Sequence, residues 1–239
     1  MSVAPKNLVF IMSDEHNSAF MGCAGHPHVK TPTLDALAAR GTIFDNAYTN
    51  CPICVPARAS FATGRYVHDC GNWDNAFPYH GELPSWGHRL QAQGHHVVSI
   101  GKLHYRSTDD DNGFVDEIIP LHVVDGIGDL LGMIRDDLPE RHGTRKLAGE
   151  AGRGESSYTN YDRNIAAETV RWLSEEAPKH TDRPWALFVS FVCPHFPLIA
   201  PDKFYDLYAD ADLPAPALYS PDERPAHPYY KAMRECMAY

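Results

Sequence analysis

The sequence predicts an α/β fold built on a mainly parallel sheet. Three observations carry that expectation. Continuous apolar runs of strand length, "NLVFIMS" (7–13) and "WALFVSFV" (185–192), read as strands covered on both faces. Helix-like segments with glycine stops alternate with such runs, as in α/β domains. Each strand-like run is followed by chemically active residues, and in parallel sheets sites form beyond the carboxyl ends of the strands.

In chain order, 7–13 is expected to be a buried strand. "TPTLDALAARG" (31–41) is a punctuated helix: Thr31 can cap, Pro32 fits the first turn and Gly41 stops it. "TIFDNAY" (42–48) reads as a strand. "VPARASFATG" (55–64) reads as a short helix with Pro56 in its first turn and Gly64 at its end. "LPSWGHRLQAQG" (83–94) is a helix and "HVVSIG" (96–101) a strand. Residues 105–159, rich in Asp, Gly and Arg, read as surface loops; "DGIGDLLG" (125–132) lacks dinucleotide-binding spacing. "DRNIAAETVRWLSEE" (162–176) is an amphipathic helix with Ile165, Ala166, Trp172 and Leu173 on one stripe. The strand at 185–192 follows. After Pro201 only the last stretch reads as helical.

The chain has 239 residues, 44% hydrophobic and 22% charged, an ordinary globular composition with a net charge of −10. No basic run points to nucleic acid. No apolar stretch reaches the ~18 residues of a spanning helix, and Leu8 to Met12 is too short for a signal core. The expectations are therefore no nucleic-acid or membrane partner and a cytoplasmic location. Six cysteines at irregular spacing are not a disulfide scaffold.

Two cysteines open the segment "NCPICVPARASFATGRY" (50–66) as C-x-x-C. One reading is a redox pair, since a cysteine before a helix has a lowered thiol pKa; but redox motifs place the attacking cysteine first, and Cys51 sits in the loop ahead of Pro52. A second is zinc on Cys51, Cys54, His68 and Cys70, whose spacing matches no common knuckle closely. A third comes from the residues after Cys54: Cys54-Val55-Pro56-Ala57-Arg58, then Thr63-Gly64-Arg65. This C-x-P-x-R followed by T-G-R resembles the signature of the type I sulfatase family. "PKNLVFIMSDEHN", "HVKTPTLDALAARGTIFDNAY", "SIGKLHY" and "SFVCPHFPL" resemble further family segments, over most of residues 5–200.

The resemblance implies an alkaline-phosphatase-like α/β/α sandwich and hydrolysis of a small-molecule sulfate ester. It implies that Cys54 is converted by a maturation enzyme to formylglycine, whose hydrate attacks sulfur in two easier covalent steps. It also implies a divalent cation, Ca2+ first and Mg2+ or Mn2+ next, on hard oxygen ligands. Asp14, Glu15 and the Cys54 position are the implied metal ligands; Glu15 stands where relatives carry aspartate or glutamine. Arg58 would hold the nucleophile. Lys102 and His104 would meet nucleophile and sulfate. His195 would contact sulfate or protonate the leaving oxygen, and Asn75 would contact substrate. Taken singly, each has a structural alternative: Asp14 a cap, Lys102 a surface charge, His195 a packed loop residue, "GHPH" (25–28) a loop. Alternatives for the function are a phosphonate or phosphate monoester hydrolase of the same superfamily, and an inactive fragment or zinc-stabilised binding module.

Family members are considerably longer. The expectation for 1–239 is thus the N-terminal part of one sulfatase-like domain, with a loop-rich insertion at 105–159, the remaining metal ligands lying beyond Tyr239, and little activity from these residues alone. A homo-oligomer is left open.

Overall fold

A computed structural model describes residues 6–129, 140–142 and 149–237. Its strands are β1 (Leu8–Ser13), β2 (His96–Lys102), β3 (Asp116–Leu121), β4 (Ala151–Arg153), β5 (Trp185–Phe191) and β6 (Leu198–Ala200). The α-helices are α1 (Pro32–Ala38), α2 (Cys54–Thr63), α3 (Val67–Cys70), α4 (Trp86–Gln91), α5 (Ser157–Arg171), α6 (Asp202–Tyr205) and α7 (Pro228–Cys236). The chain forms two compact units. The first is Met1–Asp14, Tyr48–Asp136 and Asn160–Cys193; the second is Glu15–Ala47, Asp137–Thr159 and Pro194–Tyr239.

The first unit holds a four-stranded parallel sheet in the order β1-β5-β2-β3. Side chains of a strand alternate between faces, so β5 serves two cores. Leu187 and Val189 join Val98, Ile100, Ile165 and Trp172; Phe188 joins Ala59, Ala62, Leu103, Tyr79 and Tyr105. Burying a side chain such as Phe188 stabilises the fold by roughly 1.5–3 kcal/mol. The small Ala59 and Ala62 let α2 lie close on that face, where Phe61 stacks 5.7 Å from Phe188. Gly64 ends α2 with φ 68°, its N–H returning to the Ser60 carbonyl, a left-handed cap that glycine takes without strain.

The sheet corrects the expectation of a buried first strand. Among the described residues β1 lies at one edge of the sheet: Leu8 is 45% exposed and Ile11 65%. Only Phe10 and Met12 pack on the Phe188 core. The apolar run foretold the strand, but burial depends on which strands neighbour it. Within 105–159 the loop reading is corrected too, because β3 extends the sheet parallel to β2. Its pattern was hidden by Asp116, Glu117 and Pro120. The helix read at 162–176 begins earlier, at Ser157, and gives way to a π turn at Trp172–Glu176. Ile165 and Trp172 are buried as expected, while Ala166 and Leu173 are exposed. The helix read at 83–94 is confined to α4, capped by a reciprocal Ser85–His88 box.

In the second unit, β4 and β6 form a parallel pair. Residues 42–48 form no strand; Phe44 is 80% exposed. A β-branched, aromatic run is only a propensity until a partner strand supplies its hydrogen bonds. Thr31 does not cap α1. Its hydroxyl donates to Asp35 Oδ1 at 2.8 Å and accepts from the Gly22 N–H at 2.9 Å. The start of α5 is fastened by Ser156 and Thr159, each backbone N–H donating to the other's hydroxyl at 2.9 and 3.1 Å. The terminal stretch read as helical is α7.

Candidate active site

β1 ends beside its neighbours' carboxyl ends and delivers Asp14 to the edge of the sheet. β2 delivers Lys102, and α2 begins at Cys54. These residues meet in the first unit. Cys54 Sγ lies 3.9 and 3.8 Å from the two Asp14 carboxylate oxygens and 3.9 Å from Lys102 Nζ. Lys102 Nζ also forms a direct ion pair with Asp14. Arg58, one turn into α2, reaches the same carboxylate, with Nη2 3.8 Å from Asp14 Oδ1. Its Nη1 donates to the Lys102 carbonyl at 2.6 Å and to Ser190 Oγ at 3.0 Å. Arg58, Lys102 and Asp14 are 4%, 3% and 9% exposed. Charges so buried persist only when paired. Two cations on one carboxylate leave the cluster net positive in a chain of net charge −10. The amino end of α2 adds its own positive potential at Cys54.

Arg58 Nη2 is buried and makes no hydrogen bond among the described residues. It is a donor with spare capacity beside the Asp14 carboxylate, which Cys54 Sγ also approaches. Ser190 fixes the other guanidinium nitrogen and was not anticipated from the sequence, although a serine inside "WALFVSFV" was the available signal. Lys102 depends on Gly101. With φ 98°, a Cβ at Gly101 would lie 2.3 Å from the Ser190 carbonyl oxygen, so only glycine permits this approach of β2 to β5. The β2–β3 register shifts between Ile100 and Lys102. Beyond the shift, the Leu121 carbonyl accepts from Leu103 N–H at 3.1 Å and from His104 N–H at 2.8 Å. His104 takes φ 58° there.

Asn75 stands at the start of α2, its Oδ1 accepting from Val55 N–H at 3.0 Å. Tyr105 is wholly buried, which pushes its phenol far up, against the pull of Arg58. Glu15 and His195 belong to the second unit and meet each other there, with His195 Nε2 3.5 Å from Glu15 Oε1. The His195 ring lies 5.6 Å from that of Tyr158.

All six cysteines are free thiols. Among the described residues, Cys51, Cys54, His68 and Cys70 do not gather into a metal-ligating cluster. Burial raises the Cys51 thiol pKa, the opposite of what an attacking redox thiol needs. The C-x-x-C spacing is therefore neither a disulfide nor the core of a zinc site in this fold.

The Sulfatase family model matches residues 6–236. The chain belongs to the sulfatase family. Among curated relatives, the choline-sulfatase of Rhizobium meliloti (strain 1021) is 32% identical over 89% of this chain and 43% of its own length. The sulfatase chain spans less than half the length of the first curated relatives it matches. Among solved structures, a protein in complex with its substrate D-glucosamine-2-N,6-O-disulfate superposes with a TM-score of 0.65 at 21% identity. That match covers 90% of this chain and 40% of the other. The phosphonate monoester hydrolase of Agrobacterium radiobacter gives 0.64 at 21% identity, over 89% and 46%. The fold is alkaline-phosphatase-like α/β, as the sequence led one to expect.

Proposed function

We propose that the protein hydrolyses sulfate esters at the Cys54 site and that Cys54 is first converted to formylglycine. The observation that carries this reading is the buried Asp14–Arg58–Lys102 cluster at the amino end of the helix that Cys54 begins. The donor chemistry fits a hard divalent cation. Asp14 supplies carboxylate oxygens, and an oxygen in place of the Cys54 sulfur makes the local ligands oxygen alone, which suits calcium or magnesium better than a thiol does. Asp14 would hold that ion, with Glu15 a further proposed ligand. When bound, the ion and the hydrated aldehyde supply an activated oxygen nucleophile and a counter-charge to sulfate.

The chain's own residues have assignable tasks. Arg58, clamped by Ser190 and the Lys102 carbonyl, presents Nη2 as a fixed donor to the nucleophile. Lys102, held by Asp14, offers positive charge to sulfate oxygens where burial strengthens electrostatic contact. Asn75 orients the Cys54–Val55 turn through the Val55 N–H. His104 and His195 are assigned to the sulfate and to the leaving oxygen, with His195 the proton donor. A maturation enzyme is the expected partner for Cys54.

A phosphonate or phosphate ester substrate is the second reading, motivated by the fold likeness to the Agrobacterium enzyme. Lys102 and His104 favour sulfate, because phosphonate hydrolases of the superfamily tend to carry tyrosine and threonine at the corresponding places. The test is the full-length protein from its own source. Mass analysis of the Cys54 peptide should find an aldehyde, and sulfate esters should outcompete phosphonate esters in turnover. An active enzyme with an intact Cys54 thiol would refute the nucleophile, and faster phosphonate turnover would refute the substrate class.

A further inference from the structure

Glu117 and His122 are five positions apart, so in an unbroken strand they would face opposite sides of the sheet. β3 is not unbroken. From Ile118 to Leu121 it takes three steps where β2 takes two, from Ile100 to Lys102. Such a bulge resets the alternation and re-aims the side chains beyond it. Ile119 stands in it with φ 44°, an outlier for a β-branched residue, and its carbonyl accepts from the Tyr161 hydroxyl at 2.5 Å. Beyond the bulge His122 comes round to Glu117, with Nε2 2.9 Å from Oε2. The two side chains are 13% and 6% exposed. A carboxylate so buried needs donors; the second is Asn112 Nδ2, which donates to Glu117 Oε1 at 2.8 Å. The network assigns the ring hydrogen to His122 Nε2, because that nitrogen faces a carboxylate. The Thr108 hydroxyl, 2.9 Å from the same nitrogen, shares it.

What this network holds is the turn that carries His104. His104 has φ 58°, uncommon outside glycine, and such a conformation persists only where its surroundings over-determine it. The backbone on either side of His122 supplies two fastenings. The Leu121 carbonyl accepts from His104 N–H at 2.8 Å, and Val123 N–H donates to the Tyr105 carbonyl at 3.0 Å. The His122 ring holds Thr108 further along the same loop, and Asn112 Nδ2 also donates to the Ser107 carbonyl at 2.9 Å. All of these residues lie in the first unit. We propose that Glu117 and His122 are positioning residues for His104: the buried carboxylate orients the His122 ring, and His122 holds the turn that presents the His104 imidazole. The inference rests on the sulfate-ester reading above. Stability alone does not call for such a pair, since well-packed apolar residues commonly serve as well in its place. Two non-glycine residues at positive φ, His104 and Ile119, flank the same contact between β2 and β3. Strain of this kind gathers where a backbone must be aimed.

The experiment uses full-length protein in which Cys54 conversion has been verified by mass. Turnover of 4-nitrophenyl sulfate is measured, and the histidines are labelled with 15N so that NMR reads the His104 ring, its signals identified by their loss in His104→Ala. Glu117→Ala is expected to shift the His104 signals and to lower kcat about tenfold to a hundredfold, with a smaller change in KM, as misplacement of a catalytic group does. Glu117→Gln, which keeps one acceptor, should return both readouts toward wild type. In a His104→Ala background Glu117→Ala should lower kcat no further. An equal loss in both backgrounds would show a merely structural role and overturn the inference. Thr108→Val, a change at an exposed residue, serves if Glu117→Ala does not fold; it should move the same signals, and unmoved signals in the folded variant overturn the proposal. Full turnover by His104→Ala would leave the sulfate-ester reading standing and overturn the positioning role. If no ester is turned over, the sulfate-ester reading fails, and the His104 signals alone then judge the pair: signals unmoved by Glu117→Ala overturn it.

Discussion

Asp14 has two duties that a substitution can separate. It is the proposed metal ligand, and it is the carboxylate in contact with both Arg58 and Lys102. Asp14→Ala leaves two buried cations uncompensated, and removing one partner of a buried ion pair costs about 3–5 kcal/mol. We therefore expect a loss of that size in chemical denaturation, in addition to any loss of activity; a midpoint unchanged from wild type would show that the cluster is not paired as described. Ser190→Ala tests the guanidinium clamp. It removes one charge-assisted hydrogen bond, worth about 1.5–3 kcal/mol, while the Lys102 carbonyl still holds Nη1. Activity should fall with the turnover number more than with KM, since Arg58 is assigned to the nucleophile rather than to ester binding. The reverse split would move Arg58 to the substrate.

At the scale of elements, the site depends on how closely β2 approaches β5. Gly101→Ala would place a methyl against the Ser190 carbonyl and near Ile165, at a φ of 98° that alanine rarely adopts. Backbone strain of this kind costs about 1–3 kcal/mol. We expect that loss in urea unfolding, together with lower activity, because Lys102 and Ser190 both sit at the contact. β1 makes a different demand. Among the described residues it is an edge strand with Leu8, Val9 and Ile11 exposed, and a strand so placed offers backbone groups and apolar side chains to other chains. Ile11→Lys should reduce association of the 239-residue chain in light scattering without lowering its melting temperature by more than a few degrees. Unchanged association would mean that the aggregating surface lies elsewhere.

For the whole molecule, the clearest consequence of burial is alkaline sensitivity. Tyr79 and Tyr161 are pushed up to about 12, chiefly by burial. Cys193 is also raised to about 12, by burial and then by Asp162, and Tyr105 is raised further. In the unfolded chain these groups lose protons near their ordinary values of 9.0 and 10.0, whereas the native state retains them. The unfolded state then binds fewer protons, so stability falls as pH rises. Stability should be intact below about pH 9 and lost progressively across the window from 9 to 12, with self-repulsion of an already acidic chain adding to the loss. Tyr105→Phe should flatten that slope. A melting temperature constant to pH 11 would refute the account.

The sequence by itself determined the fold class, the α2 helix with its glycine stop, the strands at 7–13, 96–101 and 185–192, and the family. Those depend on short-range patterns: apolar run length, caps, and a C-x-P-x-R signature whose residues lie on one helix turn. The packing of Lys102 and Arg58 onto Asp14 was foreseen only as a set of residues following strands. Tertiary structure decided the rest. Among the described residues β1 is an edge, because strand order is a property of the sheet and not of the strand. β3 was hidden because Asp116, Glu117 and Pro120 interrupt its apolar pattern, while its place in the sheet comes from pairing with β2, which lies further back in the chain. The 42–48 run is no strand because propensity without a partner leaves its backbone unpaired. Ser190 and Gly101 became site residues only when parallel strands brought them together. Such long-range contacts carry no fixed spacing along the chain, so no local pattern announces them.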